Sequence, residues 1–104
     1  MVIKMHREYR FIDLFAGCGG LSEGFYRKGY KALLHLEIAP AACKTLKTRM
    51  KHYNYSNDEI ENAVLCADIT SDGIIEEIDS RIHEKVDLII GGPPCQAFSS
   101  AGRA

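Results

Sequence analysis

The stretch Arg10-Phe-Ile-Asp-Leu-Phe-Ala-Gly-Cys-Gly-Gly20 decides the fold. Its first six residues form a short run of mostly large apolar side chains, the pattern of a buried strand, and Gly17-Cys-Gly-Gly20 stops it with a tight turn. Beyond the turn, Leu21 and Phe25 stand four apart on one helical face, and Gly29 after Arg27-Lys28 supplies a stop just past the helix end. Strand, glycine turn, helix: the same order then recurs down the chain.

A second apolar run, Lys31 to Leu36, ends at Glu37. Pro40 suits the first turn of a second helix, in which Ala39, Ala42, Cys43, Leu46 and Met50 recur at steps of three and four while Lys44, Lys47, Thr48 and Lys51 take the opposite face. The polar stretch Asn54-Tyr-Ser-Asn-Asp58 reads as a surface loop, and Ala63-Val-Leu-Cys66 as a third strand stopping at Asp68. Ser71 or Asp72 opens a third helix with Ile74, Ile75, Ile78 and Ile82 at helical spacing. Val86-Asp-Leu-Ile-Ile90 reads as a fourth strand running into Gly91-Gly-Pro-Pro-Cys-Gln96. Strands alternating with helices predict βαβ units and a parallel sheet.

The 104 residues are 46% apolar and 26% charged, which excludes disordered and collagen-like chains. No apolar run nears the ~20 residues of a membrane span, and the first ten residues lack the apolar stretch of a secretory signal. A cytoplasmic chain with no membrane partner is expected. The net charge of −1 is not that of a self-sufficient DNA-binding domain. Four scattered cysteines and four scattered histidines form no C-x-x-C and no zinc-ligand spacing, so no metal is expected.

Ligands of parallel sheets bind outside the carboxyl ends of the strands. All four predicted ends carry unusual residues: Gly17 to Gly20, Glu37, Asp68, and Gly91 to Gln96. The glycine turn lets backbone approach a ligand and sets a helix N-terminus beside it, suited to a carboxylate or phosphate. Glu37 stands where an acid accepts hydrogen bonds from ribose hydroxyls. Asp68 can accept from an exocyclic amine, or serve as a turn aspartate before Thr70-Ser71-Asp72. Carboxylate, ribose and adenine without phosphate match S-adenosyl-L-methionine; a dinucleotide matches in part but needs room for its pyrophosphate, and no P-loop is present. Pro93 and Pro94 hold Cys95 on a rigid loop, where it is a nucleophile or a structural cysteine. Gln96, Ser99 and Ser100 add polar groups beside it.

Phe15-Ala-Gly-Cys-Gly-Gly20 followed by Leu21-Ser-Glu-Gly-Phe25 resembles the first motif of the DNA (cytosine-5) methyltransferases. Gly92-Pro-Pro-Cys95-Gln96-Ala-Phe98-Ser99 resembles that family's catalytic Pro-Cys-Gln motif, and Glu37 and Asp68-Ile69 stand where its cofactor-binding acids fall. The matches cover nearly all of the chain from residue 11 onward. The resemblance implies a Rossmann-like S-adenosylmethionine-dependent fold of class α/β, of which four parallel strands and their helices form the first half. It implies that Phe15, Ile38 and Ile69 line the adenosine pocket, that Glu37 holds the ribose and Asp68 the adenine amine. Backbone groups of Gly17, Cys18, Gly19, Gly20 and Leu21 would face the methionine moiety, and Ala16 and Pro94 would also belong to the cofactor site. Cys95 would be the catalytic nucleophile, with Gln96 and Ser99 at the substrate.

The family's Glu-Asn-Val motif, its later arginine motif, its target-recognition region and its final motif do not occur in these 104 residues. Residues 1–104 are therefore expected to be the amino-terminal portion of a catalytic domain, inactive alone, acting on double-stranded DNA with a carboxyl-terminal half or complementary chain. The apolar edge Val86 to Ile90 is expected to favour association. Two alternatives stand beside this: a cofactor-binding remnant without catalysis, and a transfer-RNA cytosine-5 methyltransferase of the same family. Of the biological roles, bacterial or archaeal restriction–modification fits best.

Overall fold

A computed structural model describes residues 8–17 and 19–91. Strand β1 (Arg10–Leu14) buries Phe11, Ile12 and Asp13 in succession, as a strand covered on both faces must. It ends at Leu14 rather than at Phe15, because Phe15 turns into the left-handed region with φ 59°. Helix α1 (Gly20–Arg27) closes as Gly29 predicts. With φ 82° at Gly29, its N–H donates to the Tyr26 carbonyl, and Tyr30 N–H donates to the Phe25 carbonyl, both at 3.0 Å. This paired arrangement satisfies carbonyls that the helix end leaves open.

Strand β2 (Lys31–Glu37) and helix α2 (Pro40–His52) follow, with Pro40 at the helix start. Helix α2 buries Ala42, Cys43, Leu46 and Met50 as its apolar stripe predicts; Ala39 is exposed, since it caps the helix. Next comes helix α3 (Asn57–Ala63), then β3 (Val64–Cys66), α4 (Ile74–Arg81) and β4 (Leu88–Ile90). All strand pairs are parallel and the order is β3-β2-β1-β4. The expected α/β architecture of four parallel strands with flanking helices, half of a Rossmann-like methyltransferase domain, is what forms.

Two apolar layers sandwich the sheet. Phe11, Tyr26, Leu46, Met50 and Ile60 pack with α1, α2 and α3 on one side. Ile12, Leu34, Leu36, Leu65 and Ile74 pack with α4 on the other. The register between β1 and β2 steps from Phe11↔Ala32 to Ile12↔Leu34, so Leu33 is an extra residue in β2.

Further expectations need correction. The supposed loop Asn54 to Asp58 runs into α3, which a capping box nucleates: Ser56 Oγ accepts from Glu59 N–H at 3.1 Å, and Glu59 Oε1 accepts from Ser56 N–H at 2.9 Å. Ala63 therefore ends a helix instead of starting a strand. Helix α1 buries Ser22 and Tyr26, with Phe25 half-buried and Leu21 50% exposed, so its inward face is turned from the one the apolar spacing predicts. Helix α4 opens after Gly73 (φ 77°) rather than at Ser71 or Asp72; Ile75 is 69% exposed, and Ile82 lies just past its end. Strand β4 holds only Leu88–Ile90, for before it Asp87 spends its N–H on the Arg10 carbonyl and its carboxylate on Arg10 N–H.

Candidate functional site

With every strand parallel, the segments after β1, β2, β3 and β4 emerge at one edge of the sheet. Strand order reverses between β1 and β4: β2 and β3 lie to one side of β1, β4 to the other. That is the switch point at which parallel sheets open a crevice. Gly91 fits this junction for a steric reason, since a Cβ there would lie 2.7 Å from the Leu14 carbonyl oxygen. Any side chain would push the segment after β4 away from the segment after β1.

The turn after β1 is held from below and from the side. Ala16 is buried and its N–H donates to the Leu36 carbonyl at 3.0 Å. Gly17 (φ 57°) and Gly19 (φ 91°) take left-handed conformations, while Phe15 takes one (φ 59°) that a bulky residue adopts only under local constraint. A Cβ on Gly19 would also crowd Arg49 Cδ and Leu46 Cδ2 at 3.1 Å, so α2 packs closely under the turn.

Glu37 joins two of the segments. Its Oε1 accepts from Gly17 N–H at 2.8 Å and its Oε2 from Ala39 N–H at 2.7 Å. One half-buried carboxylate thus fixes the glycine turn against the entry to α2. Each oxygen keeps further acceptor capacity for a hydroxyl donor. Asp68 adopts the turn role: Oδ1 accepts from both Thr70 N–H and Thr70 Oγ1 at 2.8 Å. Those two bonds, the backbone one foremost, hold its carboxyl below the usual range, so it stays a carboxylate.

Apolar side chains stand out at the same edge: Phe15 is 43% exposed and Ile38 61%, and Leu21 in the first turn of α1 is exposed too. Ile69, after β3, is half-buried against the apolar layer on the α4 side. The structure therefore brings Phe15, Ala16, Gly17, Gly19, Gly20, Leu21, Glu37, Ile38, Asp68 and Ile69 to one edge. Cys18, Pro94, Cys95, Gln96 and Ser99 lie outside the described residues. Among the described residues no cluster of three or more His, Cys, Asp and Glu could hold a metal ion, and no helix is long and apolar enough to cross a membrane.

Beneath the turn sits a group that the sequence pattern hides. Asp13 and His35 are register partners on β1 and β2, both fully buried. Tyr26 Oη is hydrogen-bonded to His35 Nε2 at 2.6 Å, and His35 Nδ1 faces Asp13 Oδ2 at 3.5 Å. Burial pushes the Tyr26 hydroxyl far up, so it is neutral. This contact explains why α1 turns Tyr26 inward. The signal was present as an acid inside an apolar run, Ile12-Asp13-Leu14. Helix α1 is pinned on its other flank by Glu23, which accepts from Tyr53 Oη and Arg49 Nη1, each at 2.6 Å.

The sequence matches the family of C-5 cytosine-specific DNA methylases over residues 9–104. It is 39% identical over 93 residues to the Type II methyltransferase M1.HphI of Haemophilus parahaemolyticus, covering 89% of this chain and 23% of that protein. It is 38% identical over 103 residues to M.PspPI of a Psychrobacter strain, covering 99% of this chain and 21% of that protein. For M.DdeI of Desulfomicrobium norvegicum the figures are 42% over 92 residues, 88% and 19%. The chain thus spans about a fifth of the length of these relatives. With a glycine turn, an acid that ties it to the next strand and a strand-order switch at one edge, and a family match over almost its whole length, the chain belongs to the C-5 cytosine-specific DNA methylases.

Proposed function

We propose that residues 1–104 form the amino-terminal, cofactor-binding portion of a DNA cytosine-5 methyltransferase that uses S-adenosyl-L-methionine. The carboxylate of Glu37, tied to Gly17 and half-buried at the strand ends, carries this reading. Its remaining lone pairs suit the two ribose hydroxyls, and the exposed faces of Phe15 and Ile38 suit adenine. Asp68 keeps its second oxygen, Oδ2, out of the Thr70 turn, and with Ile69 it would take the amine side of the base. Backbone from Ala16 through Cys18 to Leu21 would surround the methionine moiety, and Pro94 would close on it from the fourth loop.

The cofactor supplies a methyl group made electrophilic by its sulfonium. Cys95 would act on a cytosine turned out of the duplex. Its thiolate adds to ring carbon 6, which makes carbon 5 nucleophilic enough to accept the methyl group. Loss of the carbon-5 proton and departure of Cys95 then give 5-methylcytosine, a covalent route that divides one hard displacement into easier steps. Gln96 and Ser99 would position the base and its backbone.

The relatives are named as Type II methyltransferases, which favours DNA as substrate, a restriction–modification role and a cytoplasmic setting. A carboxyl-terminal half or complementary chain would supply target recognition and most of the grip on double-stranded DNA. Methyl-transfer assays with such a complement test the scheme. Cys95→Ala should abolish transfer and leave cofactor affinity within a few-fold; loss of both together would make Cys95 structural and sink the nucleophile assignment.

A further inference from the structure

Cys43 and Cys66 play no part in the scheme above, yet their thiols reach adjacent backbone carbonyls, those of Glu37 and Ile38. Cys43 lies in the first turn of α2, is 4% exposed, and its thiol donates to the Glu37 carbonyl at 3.3 Å. Cys66 ends β3, pairs in register with Glu37, is exposed, and its thiol reaches the Ile38 carbonyl at 3.8 Å. Those carbonyls belong to consecutive residues. Both thiols are free.

We propose that Cys43 and Cys66 form a reversible dithiol–disulfide modification site, oxidised by a low-molecular-weight disulfide of the glutathione type, whose closure weakens cofactor binding at Glu37. The second half of that statement rests on the cofactor reading; the first does not. The order of steps follows from exposure. Cys66, open to solvent, attacks a sulfur of the disulfide as thiolate, forms a mixed disulfide and expels one thiolate. Cys43 then attacks the Cys66 sulfur and expels the second, to which its own proton passes. In sum, two protein thiols and one small disulfide give one protein disulfide and two small thiols.

Burial, foremost, pushes the Cys43 thiol up to about 12, so the second step is the slower and the mixed disulfide on Cys66 accumulates first. An S–S bond is about 2.05 Å long, shorter than any thiol–thiol contact, so closure draws the start of α2 toward β3. It also removes the thiol protons that the Glu37 and Ile38 carbonyls now accept. Both changes act on the corner that holds the Glu37 carboxylate against Gly17.

The test treats the full chain with oxidised glutathione, blocks remaining thiols, maps the linked peptides, and titrates S-adenosylhomocysteine before oxidation, after it and after reduction. A Cys43–Cys66 peptide, a loss of two hydrogens and binding weakened by about tenfold, restored by reductant, are expected; that is the loss of about one charge-assisted hydrogen bond. Cys43→Ser should stop at a mixed disulfide on Cys66. Cys66→Ser, an exposed change that spares the core, should bind the cofactor analogue with an affinity indifferent to oxidant. Absence of the linked peptide in the folded chain, or linkage of Cys66 to Cys18 or Cys95 instead, overturns the proposal. Unchanged affinity after cross-linking overturns its regulatory half. A reduced chain that binds no analogue strikes the cofactor reading, while the peptide map still decides the thiol pair.

Discussion

The two edges of the sheet are built on opposite plans. At the amino-terminal edge, aromatic rings lock together: Tyr26 stacks on Tyr53 at 4.7 Å and 11°, and Phe25 meets Tyr30 at 5.4 Å. Backbone groups there are matched, with Tyr55 Oη accepting from Ala32 N–H and the Tyr9 carbonyl from Lys31 N–H. Glu84 pairs with both Arg10 and Lys31, at 3.1 and 3.0 Å. At the carboxyl-terminal edge, three residues of the turn after β1 hold positive φ, and Phe15, Leu21 and Ile38 leave apolar surface in solvent. Stacked aromatic rings and ion pairs mark one edge, a left-handed Phe15 between β1 and the glycine turn and exposed apolar side chains the other. A cavity of about 370 Å³ lined by Tyr26, Tyr30, Tyr53 and Tyr55 opens at the amino-terminal edge, away from the candidate site.

Substitutions can break this division, and the largest effect belongs to the shared core. Phe11→Ala should cost about 3–5 kcal/mol in denaturant melts, because Phe11 is fully buried against Phe25, Tyr26 and His35. A loss under 1 kcal/mol would show that the layers pack without it. Gly91→Ala should cost about 1–3 kcal/mol by driving a Cβ into the Leu14 carbonyl. Its damage should concentrate at β4, visible as faster amide exchange in Leu88–Ile90; uniform exchange across the sheet would contradict the local clash.

Glu23→Gln probes the tie between α1 and α2 through its pH dependence. The hydrogen bond from Tyr53, with Arg49 and Arg27 adding to it, lowers the Glu23 pKa below its ordinary 4.5. The ionised form is therefore favoured by folding, and its stabilisation is complete above 4.5 and is lost as pH falls through the folded value. Wild type should melt above the variant at pH 7, and the difference should close in acid. A gap constant from pH 7 to pH 3 would mean that charge plays no part. The smallest effect on stability belongs to the exposed site: Ile38→Ala should shift it by no more than about 0.5 kcal/mol. It should still weaken binding of S-adenosylhomocysteine several-fold, and a variant that binds like wild type would remove Ile38 from the pocket.

The residues at the strand ends were legible because they break pattern. Glycines, acids and prolines interrupt apolar runs at Gly17, Glu37, Asp68 and Gly91, and a parallel sheet collects such ends at one edge. What stayed hidden involves polar groups pairing where the eye expects apolar ones. Leu21 and Phe25 mark an apolar face on α1, yet the helix turns Tyr26 inward because His35 waits below it with Asp13. Helix α3 was hidden differently. Its Ser56-x-x-Glu59 box is a helix signal, but Asn54, Asn57 and Asp58 around it favour turns, and only Ile60 and Ala63 give the helix a buried face. The short β4 is likewise fixed by the Asp87 contacts to Arg10, which no local pattern reveals.

The central claim is that Glu37 organises a cofactor site at the carboxyl-terminal edge. Calorimetric titration of the chain with S-adenosylhomocysteine, set beside the same titration and a thermal melt of Glu37→Ala, tests it most directly. The account predicts saturable binding to the wild-type chain, lost or weakened more than about tenfold in the variant, which stays folded at the temperature of the titration although its Tm falls. Equal affinity in both chains would contradict it.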